Sequence, residues 1–165
     1  MSTKTAAEIL DALAARGYSL AVAESLTGGL LAAEFVAVPG ASKVLLGAIT
    51  AYQNSIKRNL LSVPANVLES RGAVSAEVAE AMAAGVREHF AHAAGIGIDK
   101  VVGLSTTGVA GPDPDGDKPV GLVFVGLSIP GSEPMNVCLQ LSGDRASIRA
   151  EAVSSAVSEL GEQIR

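Results

Sequence analysis

Three observations predict an α/β fold with a mixed sheet. Amphipathic helical patterns alternate with short, mostly apolar runs of strand length, as expected for strands buried beneath helices. The last two strand patterns are parted only by a turn around Pro130-Gly131-Ser132, which suits an antiparallel hairpin and leaves no room for a crossover helix. Apolar residues make up 48% of the chain and aromatic ones only 3%, so the core must be built from Ala, Val, Leu and Ile, whose small volumes let helices lie close on a sheet.

From the amino terminus, Thr5-Ala-Ala-Glu8 is a capping-box pattern that opens a helix with Ile9, Leu10 and Leu13, closed by Gly17. A short strand follows over Ser19–Ala23, then a turn at Ser25 and a second helix with Leu30–Val36, stopped near Pro39-Gly40. Lys43–Tyr52 reads as a strand rich in Leu and Ile. Helical turns run from Ser55 to Leu61 and, beyond Pro64, to Arg71-Gly72. Ser75 caps a long helix to about His92, with Val78, Met82, Val86 and Phe90 on one stripe. Lys100–Thr106 is another apolar strand, residues 108–118 form a Gly/Pro/Asp loop, and Val120–Ile129 pairs with Met135–Leu141. Asp144 opens the last helix, with Ile148, Ala152, Val153, Ala156 and Leu160 on one face. The order of elements gives an α/β sandwich with a mixed sheet and leaves strand order open.

At 165 residues the chain reads as one domain, 1–165, large enough to bury a core without staples. Its single cysteine, Cys138, has no internal disulfide partner, which suits a reducing, cytoplasmic setting, and it reads as a small hydrophobe in the last strand. The first residues show no apolar signal region, and no run approaches the ~20 apolar residues of a membrane span. A net charge of −5, with no basic block and no Trp, argues against nucleic acid as a ligand, so an anionic small molecule must be captured by a local cluster.

The turn Glu24-Ser25-Leu26-Thr27-Gly28-Gly29 places a hydroxyl at the carboxyl end of a strand, beside N–H groups that a starting helix leaves unpaired. Two readings are open: Ser25 or Thr27 caps the helix, or Ser25 is a nucleophile with oxyanion-stabilising donors beside it. A serine nucleophile needs a base. His89 and His92 lie at the end of a long helix, far from any other motif. Lys57 could serve when neutral, which takes a depressed pKa, but on the residues alone it also reads as a solvated lysine at a helix start. Tyr52 reads as a half-buried aromatic at a strand end.

Thr106-Thr107-Gly108-Val-Ala-Gly111-Pro112 leaves the end of a strand, where Gly108 and Gly111 would let main-chain N–H groups approach a ligand oxygen or simply form a turn. Arg145 and Arg149, at i and i+4 on the last helix, are either an anion clamp or a solvated pair balancing Asp144 and Glu151.

Glu24-Ser25-Leu26-Thr27-Gly28-Gly29 resembles the E-S-x-T-G-G signature of the CinA C-terminal domain family, the nicotinamide-nucleotide amidases. Four further segments match in order: Gly47 to Lys57 with Tyr52 and Asn54, Gly72-Ala-Val-Ser75, Thr107 to Pro112 with Lys118-Pro-Val-Gly121, and Ser142-Gly-Asp144-Arg145 with Arg149. Together they cover roughly residues 8–163. The resemblance implies a three-layer α/β/α domain and a Ser/Lys/Tyr amide hydrolase acting on nicotinamide mononucleotide, without metal or organic cofactor. Ser25 would be the nucleophile, Lys57 the base and Tyr52 a relay or a support for Lys57. Thr27, Gly28 and Gly29 would supply oxyanion donors. Thr107, Gly108, Gly111, Arg145 and Arg149 would bind the nucleotide, and the two guanidinium groups would help lower the Lys57 pKa. A non-catalytic module that senses a nucleotide or contacts a competence or DNA-damage partner is the rival reading. An assembly of identical chains is also expected.

The segment Asp113-Pro-Asp115-Gly-Asp117 is one residue shorter than the family's spacer. Its three aspartates do not make a calcium loop, because the twelfth position from Asp113, where an EF-hand carries Glu, is Phe124. With no His/Cys cluster, zinc is not expected either.

Overall fold

The computed structural model describes residues 4–164. The chain runs α1 (Ala6–Ala15), β1 (Ser19–Glu24), α2 (Leu30–Val36), β2 (Leu45–Thr50), α3 (Asn54–Leu61), α4 (Ala65–Arg71), α5 (Ala76–Ala94), β3 (Val101–Gly108), β4 (Leu122–Ser128), β5 (Met135–Gln140) and α6 (Arg145–Gln163). One five-stranded sheet has the order β2-β1-β3-β4-β5. β2, β1 and β3 are parallel, and β4 and β5 run antiparallel as the expected hairpin. The α/β sandwich with a mixed sheet is thus the fold the sequence predicts.

Alternation along β1 sorts the two helical layers. Leu20 and Val22 pack with Ile9 and Leu13 of α1, Leu31 and Phe35 of α2, and Leu160 of α6. Ala21 and Ala23 point the other way, against Val78, Met82 and Val86 of α5 and Leu61 of α3. The small residues on this second face let α5 lie close, and Ser105 Oγ of β3 donates to Ala79 O of that helix at 2.6 Å. A Cβ at Gly85 would come within 1.8 Å of Leu61 O, so only glycine lets the end of α3 abut the α5 backbone. That contact fixes the helix that carries Lys57.

Local chemistry sets the boundaries. Thr5 and Glu8 form the capping box of α1, Ser75 caps α5 and Asp144 caps α6. The strand pattern over Lys43–Tyr52 contracts to β2, because a 3₁₀ turn occupies Ala41–Lys43 and the carbonyls of Ala51 and Tyr52 turn to Lys57. Cys138 lies in the last strand, as expected of a small hydrophobe there, and is exposed on the edge strand β5. Among the described residues, no helix is long and apolar enough to cross a membrane.

Candidate active site

β1 lies between β2 and β3 with all three parallel, so three segments meet at their carboxyl ends: the Ser25 turn, Ala51-Tyr52 leading to α3, and the end of β3. Crevices at the carboxyl ends of parallel strands are where open α/β sheets bind ligands. Ser25 N donates to Thr106 O at 3.0 Å, which ties the turn to β3, and Ala51 N donates to Glu24 O at 2.8 Å, which ties it to the β2 side.

Lys57 and Ser25 meet here. Lys57 Nζ donates to Ser25 Oγ at 3.0 Å, to Ala51 O at 2.8 Å and to Tyr52 O at 3.1 Å. The lysine is 1% exposed. Its place in α3, one turn before Leu61, points it inward under the turn that follows β2. Among the described residues, no acidic side chain pairs with it. Burial therefore acts unopposed and lowers its pKa from 10.5 to about 8. The expected help from Arg145 and Arg149 is not part of this shift; desolvation alone produces it.

The Ser25 turn is built differently from the expectation. Neither Ser25 nor Thr27 caps α2 through its side chain. The fully buried Glu24 does so, accepting from Gly29 N and Leu31 N through Oε2 and from Ala32 N through Oε1, at 2.9 to 3.0 Å. Gly28 and Gly29 have φ of 59° and 104°, left-handed values that glycine adopts without strain, and these bend the chain into the helix. Gly28 N donates to Ser25 O and Gly29 N to Glu24, so neither is available to an oxyanion. Thr27 is fully buried, its hydroxyl 2.8 Å from that of Thr106. Gly28 and Gly29 therefore shape the turn, and Thr27 is buried within it and does not line the cleft. Two N–H groups of the turn have no partner among the described residues, those of Leu26 and Thr27; Leu26, directly after the serine, lines the cleft and Thr27 does not, so the Leu26 N–H is the one placed for an oxyanion.

The two arginines separate. Arg145 Nη1 donates to Gly111 O and Nη2 to the Tyr52 hydroxyl, at 2.6 and 3.1 Å. Arg149 Nε donates to Leu26 O at 2.9 Å and Nη2 to Thr27 O at 3.1 Å. Arg149 is thus a tie on the Ser25 turn and not half of an anion clamp. Tyr52 supports Lys57, but through its main-chain carbonyl; the residue is 58% exposed and its hydroxyl accepts from Arg145 instead.

Ser25, Lys57, Tyr52, Thr107, Gly108 and Arg145 line one cleft of about 220 Å³. Thr107 Oγ1 is held by Ala73 O at 2.7 Å. Gly111 lies behind the lining and acts through the carbonyl that receives Arg145. Sequence reasoning missed Asn54 and Asp115 as cleft residues. Asn54 follows Tyr52 by two residues in the Gly47 to Lys57 segment, whereas nothing in the local pattern of the loop signals that Asp115 folds back to the cleft. A larger hollow of about 340 Å³ beside α3 and α4 contains neither Ser25 nor Lys57, so the smaller cleft is the one with chemistry. Among the described residues no group of His, Cys, Asp and Glu gathers to hold a metal ion.

The sheet, its two helical layers and this cleft define an α/β/α domain with a lysine-paired serine at the carboxyl edge of its parallel strands. The model of the CinA C-terminal domain matches residues 2–164, and the chain belongs to that family. A CinA-like protein of Frankia casuarinae is 45% identical over 149 residues, covering 90% of this chain and 32% of that protein. A CinA-like protein of Synechococcus sp. is 54% identical over 121 residues, 73% of this chain and 27% of its own length. The chain thus spans about a third of the length of these curated relatives. Among solved structures, a competence-damaged protein (CinA) superfamily protein from Klebsiella pneumoniae superposes with a TM-score of 0.83 at 30% identity, covering 98% of both chains. One from Enterobacter cloacae reaches 0.85 at 28% identity, covering 100% of this chain and 95% of that one.

Proposed function

We propose that this chain hydrolyses the carboxamide of nicotinamide mononucleotide to nicotinate mononucleotide and ammonia, with Ser25 as nucleophile and Lys57 as base. The observation that carries the reading is the buried contact between Lys57 Nζ and Ser25 Oγ. The amide class and the substrate follow from the motif resemblance, and the pairing of a serine with a buried lysine supports a serine nucleophile activated by a base.

A neutral lysine amine has two N–H donors and one lone pair. The ammonium donates to all three partners; once it loses a proton, with its two N–H groups kept on Ala51 O and Tyr52 O, the lone pair takes the place of the donor to Ser25 Oγ and accepts from that hydroxyl. Ser25 Oγ attacks the carboxamide carbon as its proton passes to Lys57 Nζ. The carbonyl oxygen takes up negative charge against Leu26 N–H. Lys57 then returns the proton to the departing nitrogen, ammonia leaves and an ester to Ser25 remains. A water gives its proton to Lys57 and attacks that ester, and the acid is released as Ser25 recovers its proton. Arg145 commits two N–H groups to Gly111 O and Tyr52 and keeps others for the substrate phosphate.

Ammonia release by the purified protein tests the reading. Turnover of nicotinamide mononucleotide with one ammonia per acid formed is expected; no release over the uncatalysed background would refute it.

A further inference from the structure

We propose that Arg149 is a positioning residue for acylation, holding the Ser25 turn in its reactive form through a two-carbonyl tie. The inference rests on the reading of Ser25 as nucleophile and goes beyond it by assigning a role to a residue outside the cleft.

Arg149 stands one turn into α6, and its guanidinium reaches across 123 and 122 residues of sequence to Leu26 O and Thr27 O. These are the two carbonyls that follow the nucleophile. The peptide units between Leu26 and Gly28 are trans, so fixing each carbonyl also fixes the next N–H in the opposite direction. Thr27 O facing Arg149 leaves Gly28 N–H turned back to Ser25 O, where it donates at 3.2 Å and closes the turn. Fixing Leu26 O sets the Leu26 ψ angle, and the closed Ser25 carbonyl sets the peptide whose N–H is the Leu26 donor. One planar fork thereby holds both the serine beside Lys57 and the donor for the oxyanion.

The surroundings fit that role. A Cβ at Gly28 would lie 3.3 Å from Arg149 Nη2, so the turn passes directly under the guanidinium. Asp144, the cap of α6, accepts from Ser147 N, and among the described residues no carboxylate draws Arg149 away from the carbonyls. A lysine in its place could reach one carbonyl as a point charge but could not fork to both.

The test compares wild type, Arg149→Met and Arg149→Lys, each checked for folding by circular dichroism. Expected for Arg149→Met is a kcat loss of about 100-fold, the scale of a displaced reactive geometry. Its KM should stay within about threefold and the pH midpoint of the rate should be unchanged, because neither the substrate contacts nor Lys57 is altered. Arg149→Lys should recover only part of the loss. A kcat within about twofold of wild type in Arg149→Met, or full recovery in Arg149→Lys, would overturn the proposal.

The rate of Ser25 labelling by an alkyl fluorophosphonate, a reagent that needs a nucleophile and an oxyanion donor but no amide, is measured in parallel. If wild type is labelled but releases no ammonia, the amidase reading fails, and the labelling rates of the two variants decide the role of Arg149 by the same criteria. A wild type that does neither overturns both.

Discussion

Lys57 and Ser25, 32 residues apart, are joined by a 3.0 Å hydrogen bond in a place that admits almost no solvent. The lysine's other two partners are main-chain carbonyls, which orient Nζ without supplying a negative charge. An acidic partner would stabilise the ammonium and hold the proton. Neutral carbonyls leave burial to dominate, and the amine becomes available near pH 8.

The rate should therefore rise with pH through a midpoint near 8, since the reactive form is the neutral amine. Lys57→Arg should lose activity by about 1,000-fold or more, because a guanidinium keeps its proton at any working pH. A pH–rate profile of wild type and the turnover of that variant check this; a flat profile between pH 6 and 9 would contradict it.

The same lysine should cost stability. Between the folded pKa of about 8 and the unfolded value near 10.5, the unfolded chain binds a proton that the native chain has released, so stability rises with pH across that window. Below it the penalty is complete, about 3 kcal/mol at ~1.4 kcal/mol per unit. Lys57→Met should raise unfolding stability at neutral pH by about 1–2 kcal/mol, the two orphaned carbonyls offsetting the rest. Urea unfolding of both proteins at neutral pH and at pH 10 should show the gap shrinking at the higher pH.

Glu24 should matter for the fold of the turn. Glu24→Ala removes the acceptor of three N–H groups at the buried start of α2 and should destabilise the protein by about 2–4 kcal/mol. Thermal unfolding measures it; a loss below about 0.5 kcal/mol would mean that water replaces the carboxylate.

On the proposed function, Tyr52 and Arg145 lie on the side of the cleft that takes the nucleotide. Tyr52→Phe removes only the hydroxyl that Arg145 holds, so the pH midpoint should stay near 8. Arg145→Ala should weaken the nucleotide by about 10-fold or more while leaving nicotinamide nearly unaffected, as expected for a lost charged hydrogen bond. Binding of both compounds by calorimetry checks the difference; equal losses would detach Arg145 from the phosphate.

Much of this architecture is legible in the sequence. Capping residues at Thr5, Ser75 and Asp144 and the turn before β5 are local signals, and local signals place elements well. The pairing of Ser25 with Lys57 is not local. It follows from β1 lying beside β2, which periodicity does not specify, and only the motif resemblance anticipated it. Arg145 and Arg149 show the same limit. Their i, i+4 spacing puts them on one helix face, yet side chains of that length diverge, one to Gly111 and Tyr52, the other to Leu26 and Thr27. Glu24 reads as a motif letter until the fold turns its carboxylate back on the N–H groups of α2.

The most direct measurement is ammonia release from nicotinamide mononucleotide by wild type and by Ser25→Ala at equal concentration. Wild type is expected to turn over and Ser25→Ala to lose at least about 10⁴-fold in kcat while still folding and binding the nucleotide, as losses of a nucleophile do. A Ser25→Ala protein that releases ammonia at near wild-type rate would contradict the account at its centre.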